Sequence, residues 1–387
     1  GSQCSEPHYA ACKTIGEEGI VLLKNEKNIL PIQPGRYRRI LVVGENADRS
    51  LTKGGGSSEL KTLRDISPLE SLRRLYGDKL DYAQGYTSGR AIYDEVDKVD
   101  PKENERLREE ALQKAKQADL IIFIGGLNKN CKQDCENADR ESYDLSFGQN
   151  ELITALAKLQ KNIVVCTFGG NAFATPWIGQ VKGFVHCWYL GSMAGDALAD
   201  VLSGTCNPSG KLPVTFAKKL GDYSFAQYGA EAYPGVNKQV YYKEGLFVGY
   251  RHFDTHKVIP FGFGLSYATF SYGRPRLSAN SLKGDGKLTL SVDITNTGKR
   301  EGKEIVQLYI GQQSPVEERP LKELKGFEKV SLKPGETKTV DFTISKPMLQ
   351  YFSAKSHDWT VDNDTFAAYV CASSEDVRGK VSFSYQQ

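Results

Sequence analysis

Asp134, Glu136 and Asp139, with Arg140 beside them, crowd three carboxylates and a guanidinium into one polar stretch of the chain. A carboxyl group can give a proton, take one, or attack an electrophilic carbon, so residues of this type point to acid/base or nucleophilic chemistry. The stretch follows an apolar run, Leu120-Ile121-Ile122-Phe123-Ile124, that reads as a strand buried on both faces. It precedes Gln149 to Leu159, whose apolar spacing reads as a helix. A long loop therefore hangs off the end of a central strand. In open α/β sheets the crevice at the carboxyl ends of the strands is where ligands bind, which puts these carboxylates in the right place for chemistry. The competing reading is that they are loop acids that only keep a surface wet.

The elements that would hold such a loop recur along the first half of the chain. Arg39 to Gly44, Asn162 to Gly170 and Gly183 to Gly191 are further apolar strands, each ending in glycine. Helical patterns lie around them. His8 to Leu23 is amphipathic, Ser67 to Tyr76 has Ser67 as a cap and Pro68 at its first position, Pro101 to Gln117 is a charged surface helix, and Ala194 to Ser203 is stopped by Gly204. Strands and helices in alternation argue for a largely parallel sheet covered by helices on both faces. From about Thr269 the period changes to two. Lys287 to Ile294 alternates, Asn296-Thr297-Gly298 turns, Glu304 to Ile310 is the next strand, and Lys333 to Glu336 turns again before Thr339 to Ile344. This predicts an antiparallel β-sandwich of fibronectin III/immunoglobulin-like type. Expected domains are 1–217, a wrapping linker over 218–266 that is rich in aromatics and glycine, and 267–387.

Several other residues invite a functional reading and have a plainer one. Lys53-Gly54-Gly55-Gly56-Ser57-Ser58 suggests a phosphate cradle, but neither Gly-x-x-x-x-Gly-Lys-Ser nor Gly-x-Gly-x-x-Gly is present, so a tight turn or pocket wall is expected. Nucleotide affinity by calorimetry would reverse that. His186 lies within a strand and reads as a core group rather than a ligand. The eight cysteines match no zinc spacing; Cys166 and Cys187 read as small hydrophobes, and Cys131 and Cys135 as either two thiols or a bridge. Trp359 reads as a core anchor of the sandwich rather than a sugar platform. Glu244 and Asp254 are alternative site carboxylates, with salt bridges to Lys243 or Arg251 the commoner fate of such neighbours.

Length and charge close off whole classes. A chain of 387 residues can bury a sizeable core and divide into about two domains. A net charge of +3 makes no field suited to nucleic acid or an anionic membrane. No apolar run approaches the roughly 20 residues that span a bilayer. Gly1-Ser2 has the look of a cloning remnant, so an export signal removed upstream is compatible with the visible start; a periplasmic or extracellular location is expected.

The carboxylate loop also carries a resemblance. Gly126-Leu127-Asn128, then Asp134-Cys135-Glu136-Asn137 with Asp139-Arg140, then Tyr143-Asp144-Leu145, Gly148-Gln149 and Leu152-Ile153, resembles the acid/base loop of glycoside hydrolase family 3, which includes β-glucosidases and β-xylosidases. Asn137 stands where that family more often has Gly, and Cys135 where it more often has Ser. Asn207-Pro208-Ser209-Gly210-Lys211-Leu212-Pro213, after the helix that ends at Gly204, is similar to a signature of the same family's α/β domain. Ile20 to Pro31 resembles the entry into that domain, Pro260 to Tyr267 a segment near its substrate cleft, and the last third its fibronectin type III-like domain.

The resemblance implies that Glu136 is the proton donor and that Asp139, Arg140, Ser57 and Ser58 border the sugar. It implies a β-linked oligosaccharide or glycoside as substrate and no metal or organic cofactor. A retaining glycosidase needs a second carboxyl about 5 Å away as nucleophile. In the resembled family this is an aspartate on a (β/α)8 barrel that precedes the α/β domain, and this chain shows no such barrel. His357-Asp358-Trp359 only echoes the Ser-Asp-Trp motif that carries it. The implied function is the C-terminal part of a β-glucosidase-like enzyme, inactive on its own. The alternative is a non-catalytic carbohydrate-binding or scaffolding protein with the same fold. A barrel of about 250 residues upstream of Gln3 would decide for the enzyme.

Overall fold

The computed structural model describes residues 3–387 apart from 34, 54, 93, 94, 137 and 254–257, so Gly54, Asn137 and Asp254 lie outside the described residues. The chain divides into two compact units, Gly1–Gly210 and Lys211–Gln387.

The first unit opens with α1 (Glu6–Gly19) and β1 (Val21–Asn25). The helix expected over His8 to Leu23 therefore stops short. Ile20, Val21, Leu22 and Leu23 are all buried, and four successive apolar residues cannot share one helix face, whereas a strand covered on both sides hides them all. The other strands of this sheet are β2 (Ile40–Val43), β3 (Leu80–Ala83), β4 (Leu120–Gly126), β5 (Ile163–Phe168) and β6 (Gly183–Trp188). They lie in the order β1-β6-β5-β4-β2-β3, parallel except for β1, which runs antiparallel to β6. Every residue of β2, β4 and β5 is buried, as the unbroken apolar runs require.

Four further helices are α2 (Pro68–Tyr76), α3 (Pro101–Ala115), α4 (Gln149–Leu159) and α5 (Ala194–Ser203). α1 and α2 both pack on α5, while α3 and α4 pack on each other and against β2 to β5, so two helix layers enclose the sheet. The starts and stops are encoded locally. Ser67 Oγ accepts the Glu70 N–H at 3.2 Å, Asp100 accepts the Lys102 N–H at 2.9 Å, and Gly204 ends α5 with φ 82°.

Because the chain passes from β2 to β3 on one side and then crosses to β4 on the other, the direction of winding reverses between β2 and β4. Such a reversal sends the two connecting loops apart and opens a crevice at the carboxyl ends of those strands. His186, on β6, is fully buried, and its Nδ1 lies 2.9 Å from Thr167 Oγ1. Burial depresses its pKa to about 3, so the imidazole is a neutral core group.

The second unit is an antiparallel sandwich. Its strands are β7 (Phe270–Tyr272), β8 (Arg276–Leu277), β9 (Ser281–Lys283), β10 (Lys287–Asn296), β11 (Gly302–Gln312), β12 (Glu323–Leu332), β13 (Thr337–Ser345), β14 (Tyr351–Ser353), β15 (Asp358–Thr360), β16 (Asp364–Cys371) and β17 (Val377–Gln386). One sheet runs β13-β10-β7 with β8 also on β10, and the other runs β12-β11-β16-β17-β9, where only the β17–β9 pair is parallel. Leu288, Leu290, Val292 and Ile294 of β10 face Leu308, Ile310, Phe366 and Phe383 in one core, as alternation predicts. Asn296, buried at the turn, ties it down by donating to Arg300 O and Leu332 O and accepting from the Gly298 N–H.

Trp359 is not in that core. It sits on β15, which pairs only with β14 in a two-stranded hairpin outside both sheets, and 61% of it is exposed. Its cross-strand partner is Phe352, so the two rings share the outer face of the hairpin and meet edge to face at 5.9 Å. Among the described residues the cysteines form no disulfide, so Cys131 and Cys135 are two thiols and not a bridge. Among the described residues no helix is long and apolar enough to cross a membrane.

Candidate functional site

Glu136 stands where the winding reverses. The loop after β4 carries it, the loop after β2 carries the glycine-rich turn, and the two meet across the crevice. The Ser57 N–H donates to Glu136 Oε2 at 2.9 Å, the Ser57 hydroxyl donates to Oε1, and the Glu136 N–H donates to Gly55 O at 3.3 Å. Ser57 and Glu136 are 79 residues apart in sequence. Glu136 remains exposed, so the carboxylate points out from the rim and not into the core. The Ser57 hydroxyl, and then its amide, hold this carboxyl below its ordinary pKa, because both donate to the ionised form.

Glycine is required at the turn. Gly56 has φ 84°, and a Cβ there would overlap the Glu136 carboxylate and come within 3.0 Å of its Cβ. Gly55 has φ 86°, and its absent side chain leaves room for the stem of Lys129, 3.2 Å from where a Cβ would stand. Lys129 Nζ reaches Ser58 O at 3.1 Å and Ser58 Oγ at 3.3 Å, and lies 5.6 Å above the Tyr189 ring. Ser58 is thus held by a lysine of the opposite loop and makes no hydrogen bond to Glu136 among the described residues.

Asp134 fastens the Glu136 loop to the neighbouring strand ends. Its Oδ2 accepts the Gly170 N–H at 2.6 Å and the Tyr189 hydroxyl at 2.9 Å, and its Oδ1 accepts from Asn171 Nδ2 at 2.7 Å. The root of the loop is tied as well: Asn128 Oδ1 accepts the Asn130 N–H at 3.0 Å, and Gln149 Oε1 accepts the Gly126 N–H at 2.8 Å while its Nε2 donates back to Gly126 O at 2.9 Å. Beneath it Glu45, buried at 8% exposure, accepts from the Ser88 N–H and Thr87 Oγ1 and pairs with Arg49 at 3.1 Å. A long loop is ordinarily mobile, but one with this many anchors holds a side chain in place.

Of the residues singled out in the sequence, Ser57 and Glu136 are therefore in direct contact, and Ser58 is one residue away on the same turn. Asp139 is exposed and enters no ion pair among the described residues. Arg140 donates from Nη2 to Ala172 O at 2.7 Å, and its Nη1 is buried without a hydrogen-bond partner among the described residues. Glu244, the alternative carboxylate, accepts from the Ser224 hydroxyl, while Lys243 pairs with Glu231 and Arg251 with Glu323. Lys129 and Tyr189 escaped notice because nothing in their spacing marks them; only the strand order brings them to one rim. No group of three or more His, Cys, Asp or Glu side chains among the described residues is placed to hold a metal ion.

Comparison with known proteins agrees with this architecture. Residues 20–250 match the Glycosyl hydrolase family 3 C-terminal domain, and residues 304–374 match a Fibronectin type III-like domain. The chain is 50% identical over 395 residues to Beta-glucosidase BoGH3A of Bacteroides ovatus, an alignment covering 100% of this chain and 53% of that protein. It is 35% identical over 367 residues to Periplasmic beta-glucosidase of Salmonella typhimurium, covering 90% of this chain and 46% of the relative. Among solved structures, a GH3 beta-glucosidase of Bifidobacterium adolescentis superposes with a TM-score of 0.87 at 33% identity, over 99% of this chain and 54% of that one. The chain spans about half the length of the curated relatives it matches.

Proposed function

The chain belongs to glycosyl hydrolase family 3, with the family's C-terminal α/β domain followed by a fibronectin type III-like domain, and on that premise we propose that Glu136 is the general acid/base of a retaining β-glycosidase. The observation that carries this reading is the Glu136 carboxylate itself, exposed at the switch-point crevice on a loop anchored by Asp134. The substrate class is a terminal β-linked sugar, as the names of the relatives suggest, with β-glucosides first. The similarity to a periplasmic enzyme supports an exported protein.

The chemistry needs a second carboxylate. In the first half, Glu136 as carboxylic acid gives its proton to the glycosidic oxygen as the bond to the anomeric carbon breaks, and the nucleophile forms a glycosyl ester. In the second half, the Glu136 carboxylate takes a proton from the water whose oxygen attacks that carbon; the ester breaks, the nucleophile leaves as carboxylate, and Glu136 is protonated again. The nucleophile is assigned to a (β/α)8 barrel outside this chain. Its negative charge would also act on Glu136, raising the proton affinity that Ser57 lowers.

The isolated chain should show no turnover of aryl β-glucosides or β-xylosides. In the protein that includes the barrel, Glu136→Ala should lose most activity on substrates with poor leaving groups. It should recover turnover of a dinitrophenyl glycoside when azide is added, since azide attacks the anomeric carbon of the glycosyl ester without needing a base, and the nucleophile leaves as carboxylate with a glycosyl azide as product. Robust turnover by the chain alone would overturn the placing of the nucleophile outside it, and an unimpaired Glu136→Ala variant would overturn the acid/base role and favour a non-catalytic, carbohydrate-binding role for this part of the protein.

A further inference from the structure

We propose that Ser57 is the positioning residue for Glu136, a two-donor clamp that favours the proton-accepting form of the carboxylate and must release it before the proton-donating half of the reaction. The inference rests on the acid/base reading of Glu136 and adds to it a residue and a direction. Its ground is geometric. Both carboxylate oxygens of Glu136 are engaged by one residue, Oε2 by the Ser57 N–H at 2.9 Å and Oε1 by the Ser57 hydroxyl. Two N–H or O–H donors aimed at one carboxylate suit the anion, and a protonated carboxyl would have to turn its own hydrogen against one of them.

The turn is shaped for the grip. Gly56, at φ 84°, lets the backbone lie against the glutamate without a side chain between them, so the Ser57 amide reaches Oε2 directly. Three other charged groups of the rim have partners of their own. Lys129 ends on Ser58 O and Oγ, Asp134 on Gly170, Asn171 and Tyr189, and Arg140 on Ala172, while Lys53 and Asp139 are exposed. The Ser57 hydroxyl is the largest cause of the downward shift of the Glu136 pKa, the Ser57 amide adds to it, and burial acts the other way. A clamp of uncharged donors is one that a substrate can displace. A glycosidic oxygen presented to Glu136 offers an acceptor in place of the serine donors, and the carboxyl that leaves Ser57 regains the affinity for the proton it must deliver.

The test separates the clamp from the enzyme reading. Glutamate labelled with ¹³C at the side-chain carboxyl is titrated in the full chain, with the Glu136 resonance identified by its loss in Glu136→Gln. Ser57→Ala should move the Glu136 titration to higher pH, Ser57→Thr should return it toward the wild type, and Ser58→Ala should leave it in place. An unmoved Glu136 titration in Ser57→Ala, with circular dichroism showing the fold intact, overturns the clamp whatever the enzyme does. In the protein carrying the barrel, the basic limb of kcat/KM should move upward in Ser57→Ala and return in Ser57→Thr. A basic limb that stays fixed while the NMR titration moves would retain the clamp in the resting chain and overturn its part in catalysis.

Discussion

Asp134→Ala tests whether the Glu136 loop is held from one point. Three donors converge on that carboxylate: the Gly170 N–H at 2.6 Å, Asn171 Nδ2 at 2.7 Å and the Tyr189 hydroxyl at 2.9 Å. Hydrogen bonds to a charged acceptor are worth about 1.5–3 kcal/mol each, but three on one group do not simply add. Gly170 and Asn171 are exposed and can turn to water, which keeps their share to about 0.5 kcal/mol each. The Tyr189 hydroxyl lies deeper, where burial and the neighbouring Asp134 together raise its pKa, and leaving it unpaired costs about 1–2 kcal/mol. The loss should total about 2–3 kcal/mol, which lowers the urea midpoint of the first unit by about 1 M. Circular dichroism in urea gives the midpoint, and hydrogen exchange at the Gly170 amide, read by NMR, gives the local effect. Asp139→Ala, on the same loop and without an ion pair among the described residues, is the control and should stay within about 0.5 kcal/mol of wild type. If Asp134→Ala behaves like the control and Gly170 exchanges no faster, the loop is held by something other than this carboxylate.

Gly56→Ala should destabilise the first unit by about 1–3 kcal/mol and displace Glu136, because the residue would be forced into φ 84° with its methyl on the carboxylate; thermal melting and the ¹³C titration above read the two effects. His186 has a folded-state pKa of about 3 against 6.5 for the free group, so below 6.5 the unfolded chain takes up a proton that the folded chain refuses. Its contribution is fully present above that range and falls by about 1.4 kcal/mol per pH unit as the pH drops toward 3, a slope that His186→Gln should lack in urea titrations at several pH values. Thiol labelling should reach the exposed Cys4 first, and should reach Cys131, Cys166, Cys187 and Cys371 only after unfolding, as mass spectrometry of the labelled peptides would show.

Where one physical signal dominates, the amino-acid order is enough to place an element. The fully buried strands β4 and β5 are unbroken apolar runs, α2 and α5 carry their own caps, and β10 alternates from end to end. The first strand is masked because Ile20 to Leu23 follow directly on the helical pattern of α1, although four apolar residues in a row fit a strand paired with β6 better than a helix face. Trp359 fails for a related reason: a large aromatic in a strand usually goes inside, but a strand that pairs only within its own hairpin has no second sheet to cover it. At the rim, Glu136 stood out through its loop and its likeness to a family motif. Its union with Ser57, the lysine seated on Ser58 and the three donors on Asp134 depend on strand order, a long-range property that no local window contains.

The outward turn of Trp359 has a practical consequence for anyone watching this protein unfold. The chain has three tryptophans, and the other two, Trp177 and Trp188, belong to the first unit, where Trp177 is fully buried. Their emission should shift to the red when the α/β sheet comes apart, whereas Trp359 is already wet and has little environment to lose. Intrinsic fluorescence will therefore follow one half of the molecule and be nearly blind to the other, and the melting of the sandwich must be read from its tyrosines or its β-sheet dichroism.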